Sequence, residues 1–156
     1  MTPQLKPITI LMADDDAEDC MLAERAFKQS RIANDLRFVH DGEELLQYLR
    51  HEGRYAAPAD APTPGLLLLD LNMPRMSGME ALREIKSDPR LRRIPVIVLT
   101  TSQAEEDIYR TYDLGGSAFV TKPVSFAGLV TAITAMSAFY FEVVALPLET
   151  DAFNHS

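Results

Sequence analysis

The chain has 156 residues, a length that suits one domain with a sizeable core and would cramp two. Apolar residues make up 47% and charged residues 24%, an ordinary globular composition. The net charge is −8 and no basic run occurs, which argues against direct binding to DNA or RNA, because counterion release needs clustered Lys and Arg.

A single cysteine, Cys20, rules out an internal disulfide and reads as a small apolar filler, with Glu18, Asp19 and Glu24 nearby disfavouring its thiolate. Residues 1–7 lack the apolar core of a secretory signal. No segment approaches the roughly 18 apolar residues of a membrane span. A cytoplasmic protein is expected.

Residues 8–13 form a short run of strand formers, stopped by Asp14, Asp15 and Asp16. From residue 17 to 29 the apolar period becomes helical; Asp16 sits where an N-cap belongs, with Asp19 three residues on. A second strand is predicted over 36–39, and Asp41 caps a helix carrying Leu45, Leu46 and Leu49. Residues 53–64 make a Pro/Ala loop of more than the usual length. Residues 65–69 are wholly apolar and end in Asp70, as a strand buried on both faces requires. Pro74 keeps 71–77 a loop, and helical spacing resumes over 78–86. Residues 95–99 are another buried strand, ending in Thr100. A polar-faced helix over 104–114 closes at Gly115-Gly116, and a last strand over 118–121 meets Lys122-Pro123. From Ser125 an apolar helix runs toward Pro147.

Five strands alternating with five helices predict an α/β fold: a doubly wound, five-stranded parallel sheet of order 2-1-3-4-5 between two helical layers. Sites in such sheets lie at the carboxyl ends of the strands. Those ends carry Asp14-Asp15-Asp16, Asp70, Thr100 and Lys122. Three carboxylates gathered within about 5 Å would repel by roughly 3 kcal/mol per pair at an effective dielectric of 20. Such a cluster takes up protons or binds a hard divalent cation, and Mg²⁺ is the usual one in phosphate chemistry. Taken singly, each residue has a plainer reading: a helix-start acid, a loop-opening acid, a strand-end hydroxyl, a solvated amine.

Together the segments resemble a known family. Ile10-Leu11-Met12-Ala13-Asp14-Asp15-Asp16, Leu68-Leu69-Asp70-Leu71-Asn72-Met73-Pro74 with Ser77-Gly78, the run from Pro95 to Thr100, and Phe119-Val120-Thr121-Lys122-Pro123 are similar to the four motifs of response-regulator receivers. The resemblance implies that Asp70 is the phosphoacceptor. It implies that Asp15 and Asp70 ligate Mg²⁺ with the Asn72 main-chain carbonyl, and that Asp14 acts mainly through water. Lys122 would pair with one phosphoryl oxygen and the Thr100 hydroxyl with another, and the Lys122-Pro123 bond would be cis. Thr100 and Phe119 would form the switch, although Phe119 reads equally well as a core residue. Ser102 is too small to shield the phosphoryl group.

The same resemblance implies a receiver domain over 1–146 with a lengthened last helix, then a tail over 147–156, and a signalling protein rather than an enzyme. Residues 139–147 are apolar nearly all round, which points to a homodimer arm. With the long 53–64 loop and the Leu99-Thr100-Thr101-Ser102 stretch, this ending looks like phytochrome-associated bacterial response regulators, whose phosphoryl donor is a sensor histidine kinase of the bacteriophytochrome type. The alternatives are a pseudo-receiver acting as a dimeric interaction module and a phosphatase of the haloacid dehalogenase type. The phosphatase is disfavoured because Ala17-Glu18 follows where that motif needs Thr or Val. A flavodoxin is weaker still, since carboxylates stand where its phosphate cradle belongs.

Overall fold

The computed structural model describes residues 8–29, 34–101, 118–122, 125, 127, 128 and 131. The described elements are β1 (Ile8–Ala13), α1 (Ala17–Gln29), β2 (Asn34–Val39), α2 (Gly42–Arg50), β3 (Leu66–Asp70), α3 (Gly78–Ser87), β4 (Val96–Thr100) and β5 (Ala118–Thr121), with a single 3-10 turn at Gly53–Tyr55. The strands pair in parallel in the expected order, β2-β1-β3-β4-β5. β2 begins two residues before its predicted start, because Asn34 and Asp35 already pair with Ile8 and Thr9. The predicted helix at 104–114, Ser102, the Gly115-Gly116 cap, the Lys122-Pro123 bond and the 139–147 arm lie outside the described residues.

The central strands are buried on both faces because Leu66, Leu67, Leu68 and Leu69, and likewise Val96 to Leu99, are wholly apolar. Their side chains alternate between two cores. Leu11, Ala13, Leu67, Leu69, Val96 and Val98 pack under α2 and α3. Ile10, Met12, Leu66, Leu68, Ile97 and Leu99 pack under α1, which contributes Ala23, Ala26 and Phe27. This is the strand period of two combined with helices on both faces.

Each described helix starts where a short polar side chain satisfies its first amides. The Glu18 N–H donates to Asp16 Oδ1 (2.8 Å), the Glu44 N–H to Asp41 Oδ1 (2.7 Å), and the Glu80 N–H to Ser77 Oγ (3.2 Å). Ala127, Gly128 and Thr131 are helical, and the Gly128 N–H donates to Ser125 Oγ (3.0 Å), so Ser125 caps the helix predicted from that position. The long loop after α2 is fastened down. The Tyr48 hydroxyl donates to the Pro62 carbonyl (2.9 Å) and Arg37 grips the carbonyl and carboxylate of Asp60.

Candidate functional site

Because the sheet is parallel, the strand ends at one edge bring sequence-distant residues together. Asp14 follows β1, Asp70 closes β3, Thr100 closes β4 and Lys122 follows β5. β3 and β4 pair Asp70 with Leu99, and β4 and β5 pair Thr100 with Thr121; the Lys122 N–H then donates to the Thr100 carbonyl at 2.8 Å. Asp14, Asp70 and Thr100 are buried, and Asp15 is exposed.

Asp14, Asp15 and Asp70 each present a carboxylate oxygen within 4.8 Å of the others, an all-oxygen set that fits a hard divalent cation. The Lys122 ammonium lies 3.0 Å from Asp70 Oδ2, 3.3 Å from Asp14 Oδ2 and 2.7 Å from Asp19 Oδ2. Burial pushes the Asp14 carboxyl up to about 7; the Asp70 charge adds to this, and the Asp16 N–H and Lys122 oppose it. Asp70 is also raised, burial outweighing the Asn72 N–H and the lysine. Burial pulls Lys122 down, but Asp19, Asp70 and Asp14 more than reverse that, so the amine stays charged. The crowded carboxylates favour a proton or a second cation.

The surrounding backbone holds this geometry. The Asp16 N–H donates to Asp14 Oδ1 (2.9 Å) and the Asn72 N–H to Asp70 Oδ1 (3.2 Å), which sets the Asn72 backbone beside the Asp70 carboxylate. The Gly78 N–H donates to the Leu71 carbonyl (3.0 Å), docking α3 on the loop after Asp70. A Cβ at Gly78 would lie 2.7 Å from Leu71 Cα and closer still to the Asp70 carbonyl, so only glycine permits that approach. Arg75, at φ 67°, reaches Asp41 at the start of α2 (3.5 Å). The Thr100 hydroxyl is buried and has no hydrogen-bond partner among the described residues. Phe119 is half-buried against the core under α2 and α3.

The sequence-predicted residues Asp14, Asp15, Asp70, Asn72, Thr100 and Lys122 therefore meet at one edge. Asp19 was expected only as part of a helix start; instead its carboxylate is buried against Lys122. Nothing local in the sequence singles it out: Asp19 is the third residue of α1, and only the packing of that helix on the sheet brings it to the lysine. Cys20 fits its plain reading. Burial, then Asp14, Asp19 and Asp16, push its thiol up to about 12.

Residues 10–134 match the model of the response regulator receiver domain. The chain belongs to the response-regulator receiver family. In sequence it is similar to the response regulator Rcp1 from Synechocystis sp. (strain ATCC 27184 / PCC 6803 / Kazusa), at 38% identity over 90% of this chain and 94% of that protein. A solved Mn²⁺-bound form of response regulator Rcp1 overlays with TM-score 0.71 at 37% identity, covering 91% of this chain and 100% of that one. The bacteriophytochrome response regulator RtBRR overlays with TM-score 0.81 at 36% identity over 94% of this receiver and 87% of that chain. The phosphorylated cyanobacterial phytochrome response regulator RcpA gives 0.71 at 39% identity, covering 91% and 99%.

Proposed function

We propose that this receiver accepts a phosphoryl group on Asp70 from a phosphohistidine of a sensor histidine kinase, with Mg²⁺ held by Asp14, Asp15, Asp70 and the Asn72 carbonyl. The observation that carries the reading is the convergence of three carboxylates with an ammonium 3.0 Å from Asp70 and a buried hydroxyl that has no partner among the described residues. When bound, the cation supplies positive charge to the phosphoryl oxygens and relieves the repulsion among the acids.

An Asp70 carboxylate oxygen bonds to phosphorus as the bond from phosphorus to the donor imidazole nitrogen breaks. The bonding pair stays on that nitrogen, which takes a proton from water and leaves as neutral histidine. Lys122 donates to one phosphoryl oxygen, its raised pKa keeping it charged. The Thr100 hydroxyl, one residue beyond the partner of Asp70, has no acceptor among the described residues and gains one when phosphoryl oxygens arrive. That gain is a differential contact of the kind that shifts a two-state element. Phe119, on the neighbouring strand, would follow Thr100 and carry the change to the face around β5.

The likeness to Rcp1, RtBRR and RcpA supports a bacteriophytochrome-type kinase as donor. The apolar 139–147 segment supports a homodimer, and signalling then passes by protein contact in the cytoplasm. Among the described residues no helix is long and apolar enough to cross a membrane.

Incubation with acetyl phosphate and Mg²⁺ followed by intact mass tests the core of this reading. One phosphoryl group should be added, none in Asp70→Asn, and far less in Lys122→Ala. A wild-type mass that never changes, or an Asp70→Asn protein that gains the same group, would overturn it. Light scattering of the full chain and of a chain ending at residue 138 tests the arm, which fails if both are monomers.

A further inference from the structure

We propose that Asp19 is a positioning residue: it fixes the Lys122 ammonium so that one N–H is aimed at the phosphoryl group on Asp70. The inference rests on the phosphoacceptor reading above. An ammonium has three N–H donors, and among the described residues three carboxylates surround this one. Of these, Asp19 Oδ2 is the nearest at 2.7 Å, against 3.0 Å for Asp70 and 3.3 Å for Asp14. Asp14 and Asp70 also belong to the carboxylate triad that fits a cation, whereas Asp19 does not. Once a cation draws the oxygens of Asp14 and Asp70, Asp19 is the carboxylate that remains with the lysine.

Its support is rigid. Asp19 lies on the same buried stripe of α1 as Ala23, Ala26 and Phe27, which pack that helix on the sheet. The Asp19 carboxylate is thus fixed relative to the strand ends, and a flexible four-carbon stem is held at its tip. Both partners are largely withdrawn from water, with side-chain exposures of 16% for Lys122 and 9% for Asp19. Reaction rate is sensitive to such placement, because a misplacement of 1 Å can cost on the order of a hundredfold.

The test follows phosphorylation by acetyl phosphate at saturating Mg²⁺, read by intact mass. Asp19→Ala should be slower by at least about tenfold, and Asp19→Asn, which keeps an acceptor oxygen, should recover to within about threefold of wild type. In a Lys122→Ala background, Asp19→Ala should cause no further slowing, since a residue acting through the lysine has nothing left to act on. In the unphosphorylated protein, the Lys122 ammonium should give a slowly exchanging ¹H–¹⁵N signal in wild type and Asp19→Asn and lose it in Asp19→Ala. The proposal is overturned by an Asp19→Ala protein phosphorylated at the wild-type rate, by equal slowing with and without Lys122, or by an ammonium signal that survives Asp19→Ala. A wild-type protein that takes up no phosphoryl group would sink the phosphoacceptor reading instead, and the ammonium signal would still decide whether Asp19 tethers Lys122.

Discussion

Asp14→Asn should stabilise the metal-free protein at alkaline pH far more than at acid pH. The Asp14 carboxyl is fully buried and is raised from its ordinary 3.8 to about 7. A carboxyl whose folded pKa exceeds its unfolded one adds stability that is complete below the unfolded value and is lost as pH rises through the folded value. For Asp14 that window runs from about 4 to about 7. Integrating the proton linkage between pH 5 and pH 8 gives a loss of roughly 2–3 kcal/mol from this group. In a chain of this size that corresponds to about 5–10 °C in Tm. Asn keeps an acceptor for the Asp16 N–H and removes the charge, so the Tm difference between Asp14→Asn and wild type, in EDTA, should widen by that amount from pH 5 to pH 8. Saturating Mg²⁺ should narrow the gap at pH 8, since a ligand at 100 times its Kd adds about 2.7 kcal/mol to a fold that binds it. A difference that stays flat across this range, or widens toward acid, would refute the reasoning.

Gly78→Ala forces a methyl group against the Asp70–Leu71 backbone and should cost about 2–3 kcal/mol, measured by urea unfolding. Glu44 accepts from the His40 N–H (2.7 Å) and the Tyr55 hydroxyl (2.7 Å) and pairs with Arg54. Glu44→Ala should therefore lose about 2 kcal/mol, and Tyr55→Phe about 1 kcal/mol, in the same assay. Thr100→Val replaces a buried hydroxyl that has no partner among the described residues, so it should raise the unphosphorylated protein's stability by about 1 kcal/mol. The same variant should blunt the structural response to beryllofluoride, followed by amide chemical shifts; loss of stability would show that the hydroxyl is satisfied after all.

The sheet and its order were legible in the sequence because runs such as Leu66 to Leu69 and Val96 to Leu99 are apolar on both faces, and only parallel strands under helices bury both. The helix starts at Asp16, Asp41 and Ser125 were equally plain, since capping is a local matter of one side chain and the amides two or three residues on. The exact start of β2 was not, because Asn34 and Asp35 are poor strand formers held by pairing with β1.

The candidate site divides the same way. Its residue types could be read at the ends of the strands, since polar groups closing apolar runs stand out without any coordinates. Which carboxylate faces the lysine could not. Asp19 lies 103 positions from Lys122 in the chain, and only the packing of α1 on the sheet brings the two to 2.7 Å. Nor could the sequence foretell that Asp14 is buried and raised while Asp15 beside it is exposed. Adjacent side chains leave a strand end in opposite directions, and the burial that raises Asp14 belongs to the folded neighbourhood rather than to the residue.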